Sequence, residues 1–147
     1  MKEPAERAVE DILPHRPPFL FVNRIVSLDV GRSAVTEFDV TPDLSIFRGH
    51  FPSEPILPGV IILEMLAQTG GLSLLASEEY SGRIAYLAAV ESARFRRPVR
   101  PGDVLRAESR ILSVKRGIGK ATGKAFVGDE EVASATIVFA VPSDSPN

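Results

Sequence analysis

The sequence predicts an α+β fold in which an antiparallel sheet curls around one long buried helix. Three observations carry this. From Gly59 to about Ala76 a helical run has apolar side chains on every side, so it is buried all round. Four strand-patterned segments follow in succession, and a hairpin pattern precedes it.

Taken in order, Ala5 to Ile12 reads as a short helix behind Pro4 that Pro14 stops from continuing. Phe19 to Ser27 is rich in aromatic and β-branched residues and reads as a strand. Gly31 marks a turn, and Arg32 to Val40 alternates, with Ala34, Thr36, Phe38 and Val40 on one face. Thr41-Pro42-Asp43 looks like the start of a single helical turn before Gly49. After the long helix and a loop over Ser77 to Gly82, strands are predicted at Ile84 to Glu91, Val104 to Lys115, Ala121 to Val127 and Val132 to Val141. The 147 residues fit one domain over 1–147, with a frayed tail over about 142–147.

Composition excludes several classes of function. Cysteine is absent, so disulfides, thiolate metal sites and cysteine nucleophiles are out, in keeping with a reducing cytoplasm. With only His15 and His50, zinc would depend on carboxylates, and no metal site is expected. A net charge of −2 and a pI near 5.7 argue against nucleic-acid binding. No apolar run reaches membrane-spanning length, and Met1-Lys2-Glu3-Pro4 lacks a signal-peptide core, so a cytoplasmic protein without membrane insertion is expected.

The most informative stretch is Gly49-His50-Phe51-Pro52, continuing through Pro58-Gly59-Val60 into Leu63-Glu64-Met65-Leu66-Ala67-Gln68. It sets an imidazole on a rigid loop and, fourteen residues on, a carboxyl group in an apolar run. Such surroundings favour the neutral, proton-donating form of a carboxyl group. Gln68 stands four residues after Glu64, on the same helix face. Pro58 has no N–H, whereas Gly59 and Val60 present free first-turn N–H groups at the positive end of the helix dipole. Gly59 N–H is therefore a candidate donor to an oxyanion. Taken singly, His50 fits a satisfied loop histidine, and Glu64 fits a buried partner for an arginine such as Arg94. His15, in a turn-like proline stretch, reads as structural. Phe19, Phe21, Phe47 and Phe51 fit the lining of an apolar tunnel and ordinary core packing equally well.

Together, Pro14-His15-Arg16, Phe19-Leu20, Arg24, Gly49-His50-Phe51-Pro52, Pro58-Gly59-Val60, Leu63-Glu64, Ala67-Gln68, Ala93-Arg94-Phe95, Arg97-Pro98-Val99 and Pro101-Gly102-Asp103 resemble the (3R)-hydroxyacyl-[acyl-carrier-protein] dehydratases of the FabZ type. The agreement runs from about Leu13 to Val138. The resemblance implies the hot-dog fold, homodimers of a kind that often associate further as trimers of dimers, and a role in fatty-acid elongation. It implies His50 and Glu64 as the catalytic pair, with His50 of one chain facing Glu64 of the other. Gly59, Val60, Phe51 and Gln68 are then expected around the substrate. The substrate's phosphopantetheine arm arrives on acyl carrier protein, and no cofactor is required.

Because carrier proteins are acidic, Arg94, Arg96, Arg97 and Arg100, with Lys115 or Arg116, are candidates to dock one. A solvated strand edge carrying gatekeeper charges explains the arginines equally well. Glutamate at position 64 fits the simple dehydratase better than its isomerising relative, which carries aspartate there. Three departures stand out: Pro17 where a tyrosine is usual, Asn23 where aspartate is common, and Ser53 in place of a glycine. An acyl thioesterase on the same fold, or a non-catalytic acyl-binding dimer, is the alternative.

Overall fold

The computed structural model describes residues 8–143. Helix α1 (Val9–Ile12) leads through a proline-rich loop to strands β1 (Arg24–Asp29) and β2 (Ser33–Asp39). A 3-10 turn at Ser45–Arg48 precedes helix α2 (Gly59–Leu75), and β3 (Tyr86–Phe95), β4 (Val104–Lys115), β5 (Ile118–Val127) and β6 (Glu130–Ala140) complete the chain. The six strands form one antiparallel sheet in the order β1-β2-β4-β5-β6-β3. The sheet wraps α2, which touches β2, β4, β5 and β6. Among the described residues no helix is long and apolar enough to cross a membrane.

Alternation along β2 buries Ala34, Thr36, Phe38 and Val40, as the pattern predicts. From Gln68 to Leu75 every residue of α2 is buried, which is why its apolar positions form no stripe. Three hydroxyls fasten it to the sheet. Thr69 Oγ1 donates to Met65 C=O at 2.8 Å, so at the Thr36–Thr69 contact of 2.8 Å the donor is Thr36. Ser109 Oγ on β4 donates to Leu66 C=O at 2.9 Å.

The structure moves several boundaries. Residues 19–23 are not part of the sheet, and β1 starts at Arg24, because the 19–21 backbone bonds to the Gln68 side chain instead of a strand. Strand β3 runs on to Phe95, pairing with β6 as far as Ala133 through two bulges. The 3-10 turn forms at Ser45, not at Thr41. Strand β5 starts earlier than its apolar pattern, at Ile118, directly after a turn in which Arg116 and Gly117 have φ of +55° and +76°. A side chain at Gly117 would also meet Val141 C=O at 2.5 Å, so glycine is required there. Residues 5–7 of the expected first helix and 144–147 of the expected frayed tail lie outside the described residues.

Candidate active site

His50 sits on the loop between the 3-10 turn and α2. Its Nδ1 lies 2.8 Å from Ile56 C=O, and a carbonyl can only accept, so Nδ1 carries a proton and, in the neutral ring, Nε2 is the nitrogen with the bare lone pair. Phe51 stacks on the imidazole with ring centroids 4.1 Å apart. A cavity of about 350 Å³ is lined by His50, Gly59, Ile62 and the 95–99 segment. Among the described residues the N–H groups of Gly59 and Val60 find no acceptor, as expected for the first turn of a helix. A Cβ on Gly59 would lie 3.1 Å from the Phe95 ring, so this glycine lets Phe95 pack against the helix start. Val60 is 69% exposed.

Glu64 faces a different cavity of about 220 Å³, lined also by Leu13, His15, Phe19, Gln68, Tyr86 and Phe139. Its Oε2 accepts from Gln68 Nε2 at 2.9 Å, and His15 Nε2 stands 3.7 Å from the same oxygen. Gln68 is only 2% exposed, and its amide is fully engaged. Besides the bond to Glu64, Nε2 donates to Phe19 C=O at 3.0 Å and Oε1 accepts from Phe21 N–H at 2.9 Å. It therefore orients Glu64 and holds the incoming loop on α2 at once. Burial keeps His15 below the ordinary histidine value of 6.5, with Glu64 opposing the shift and Arg16 adding to it.

The single chain thus pairs His50 with the helix N-terminus and Glu64 with Gln68 and His15. Ile62, which lines the His50 cavity, and Glu64 are two residues apart, about 160° around an α-helix. The two catalytic candidates accordingly line separate cavities on nearly opposite faces of α2.

His15, read from sequence as structural, was missed as a neighbour of Glu64. No spacing signals a contact between residues 15 and 64; only its place in the Pro14-His15-Arg16 motif marked it. Among the described residues Arg94 forms no ion pair with Glu64 or with any other carboxylate. Of the other arginines, Arg96 binds Glu131 at 2.7 Å, Arg97 binds Glu130 at 3.1 Å and Arg100 binds Glu54 at 3.3 Å. The aromatic candidates divide: Phe21 and Phe47 are core, while Phe19 and Phe51 are exposed.

The departures have visible settings. Asn23 Oδ1 accepts from Asp39 N–H at 2.7 Å, and Asn23 N–H donates to Glu37 C=O, so a neutral amide serves where Asp39 and Glu37 already supply two carboxylates to Arg24. Pro17 borders an apolar cavity of about 650 Å³ with Phe19, Phe21, Phe38, Leu57 and Ile61. Ser53 lies in the exposed turn where Phe51 and Glu54 exchange backbone hydrogen bonds at 3.1 Å.

The fold is shared with solved proteins of low sequence identity. The dehydratase heterocomplex ApeI:P from Xenorhabdus doucetiae superposes with a TM-score of 0.78 at 18% identity, covering 94% of this chain and 93% of that one. Cj0977, a sigma28-regulated virulence protein from Campylobacter jejuni, gives 0.73 at 15% identity, covering 96% and 100%. Sequence relatives are much nearer. The 3-hydroxyacyl-[acyl-carrier-protein] dehydratase FabZ of Moorella thermoacetica is 47% identical over 91% of this chain and 94% of its own length. The protein of the same name from Roseiflexus castenholzii is 48% identical over 88% and 91%. The FabA-like domain matches residues 13–136, a span that holds both His50 and Glu64, and the chain belongs to this family, on its FabZ-type dehydratase branch.

Proposed function

We infer that the chain dehydrates (3R)-3-hydroxyacyl thioesters carried on acyl carrier protein to trans-2-enoyl thioesters, in fatty-acid biosynthesis. The observation that carries the chemistry is the fixed tautomer of His50, with its bare Nε2 in the cavity that Gly59 also lines. Elimination of water needs a base for the Cα proton, an acid for the departing hydroxide and donors for the thioester oxygen. His50 Nε2 takes the Cα proton. The C3–O bond breaks as the C2–C3 double bond forms, and Glu64 supplies the proton that turns hydroxide into water. Gly59 N–H, with Val60 N–H beside it, steadies the thioester oxygen. Phe51 holds the imidazole plane and Gln68 the carboxyl group. Loss of water is redox-neutral, so the reaction asks for no electron-carrying cofactor. The enzyme works in the cytoplasm with the carrier-bound substrates its relatives' names describe.

The active form is a homodimer in which His50 of one subunit meets Glu64 of the other. Two features support this. The two residues diverge around α2 within one chain, and β3 is a sheet edge along which every residue is exposed, including Tyr86, Leu87, Val90 and Phe95. Unpaired apolar edges of this kind recruit another strand. Association of three such dimers is the further assembly implied by the family.

The assay offers (3R)-3-hydroxyacyl carrier-protein substrates of several chain lengths and follows both enoyl product and free thiol. Enoyl product without thiol is the expected result. Thiol release would identify a thioesterase instead, and neither product across the series an acyl-binding protein. His50→Ala and Glu64→Gln should each cost roughly a hundredfold or more in turnover with folding intact. Near-normal turnover in either variant would remove that residue from the mechanism.

A further inference from the structure

His15 Nδ1 is buried without a hydrogen-bond partner among the described residues, while Nε2 of the same ring faces Glu64 Oε2 at 3.7 Å. These two facts constrain the imidazole. A proton on Nδ1 would bury an N–H with no acceptor, and orphaned buried N–H groups are rarer than under-used acceptors. The imidazolium needs protons on both nitrogens and meets the same obstacle. Only the neutral ring with its proton on Nε2 avoids it, and Nε2 is the nitrogen that stands 3.7 Å from Glu64 Oε2.

We propose that His15 is a positioning residue for Glu64, a neutral imidazole whose Nε2–H, together with Gln68, anchors one carboxyl oxygen and leaves the other free to donate. The proposal rests on the reading of Glu64 as the acid of the dehydration. Both contacts fall on Oε2: Gln68 Nε2 at 2.9 Å and His15 Nε2 at 3.7 Å. Oε1 makes no hydrogen bond among the described residues and is the oxygen available to the departing hydroxyl. At 3.7 Å the histidine contact is electrostatic, longer than a hydrogen bond, and contacts of this kind tighten when substrate fills the site.

The ring is held in place by its neighbour. The Arg16 guanidinium donates to the carbonyls of Leu13 at 2.8 Å, His15 at 2.7 Å and Glu10 at 3.0 Å, folding the loop around its own backbone. The groups that share the cavity with His15 are Glu64 and Gln68 from α2 and the Tyr86 phenol from β3, with Arg16 adjacent in the chain. Glu64 is the one carboxylate among them. Desolvation, the largest influence on His15, favours the neutral ring.

Long-range nitrogen–proton NMR spectra of the wild-type protein read the tautomer directly. At neutral pH His15 should show a protonated Nε2 and a bare Nδ1, and its Nε2–H signal should move in Glu64→Gln. His15→Leu should lower kcat by about ten- to a hundredfold, the scale of a misplaced catalytic group, with KM changed by no more than about twofold. His15→Gln, which retains an N–H donor, should keep most of kcat. In the Glu64→Gln background, His15→Leu should add little. An Nδ1–H tautomer, an imidazolium at neutral pH, a normal kcat in His15→Leu, or an equal loss in both backgrounds overturns the proposal. If His15→Leu folds poorly, the wild-type spectrum and the glutamine variant still decide it. Normal turnover of Glu64→Gln would refute the acid role of Glu64 by itself, and the tautomer would still report on His15.

Discussion

At His50 one hydrogen bond decides the chemistry, because a carbonyl on Nδ1 leaves Nε2 as the only nitrogen able to take a proton. At Gln68 three hydrogen bonds give one amide two duties, loop anchor and carboxylate guide. His15 adds a consequence for stability. Its folded value lies below the unfolded 6.5, so above that pH the ring is neutral in both states and contributes no pH dependence. As pH falls below 6.5 the unfolded chain gains a proton that the folded protein resists, and stability drops until the folded ring also titrates. Asp39 and Glu131, held low by Arg24 and Arg96, lose their stabilisation only deeper in acid, on falling through the carboxylate range. Urea midpoints from pH 7 to 5 should therefore fall less for His15→Gln than for the wild type. Parallel slopes would show that His15 is not resisting protonation.

Helix α2 carries the site because its start and its middle face different ways. The start offers N–H groups beside His50, and the middle offers Glu64 and Gln68 to the cavity beneath β3. Gly59 is where packing and chemistry meet. Gly59→Ala places a methyl group 3.1 Å from Phe95, and this overpacking should cost about 1–3 kcal/mol and displace the N–H proposed as oxyanion donor. Trimming the ring with Phe95→Leu should recover most of that stability. Thermal unfolding of the single and double variants checks this, and additive losses would mean that the two side chains do not collide.

For the whole molecule, the separation of His50 from Glu64 predicts that each chain alone carries two half-sites. Mixing inactive His50→Ala dimers with inactive Glu64→Ala dimers under exchange conditions should make about half the dimers hybrid, each with one intact site. Activity should then return to about a quarter of wild type. Proven exchange without recovery would put both groups in one chain. The charge pattern makes a second prediction. Arg96, Arg97 and Arg100 already pair with carboxylates, whereas the side chains of Arg94, Lys115 and Arg116 have no ion pair among the described residues. Arg116 and Arg83 border a cavity of about 480 Å³ reaching Ala140 and Val141, next along the chain from the Phe139 that lines the Glu64 cavity. Reversing Lys115 and Arg116 to glutamate should weaken use of carrier-protein substrates more than of a pantetheine thioester, with the gap closing at high salt. Equal effects on both substrates would eliminate this hairpin as a docking surface.

The sequence by itself determined the class of fold, the extent of α2 and the alternation of β2, because local apolar periodicity encodes burial directly. Motif order and spacing from Leu13 to Val138 likewise made the family legible, and singled out His50 and Glu64 as the pair proposed here to do the chemistry. Tertiary structure alone decided the rest. Residues 19–23 carry a strand's composition but lie outside the sheet, and Gln68, far along the chain, takes the Phe19 C=O and the Phe21 N–H. The exposed edge of β3 follows from strand order, which no local pattern records. His15 meets Glu64, and three of the four arginines considered for docking are already paired, through contacts between residues distant in sequence. Such contacts depend on how the sheet closes around the helix, and that closure exists only once the chain has folded.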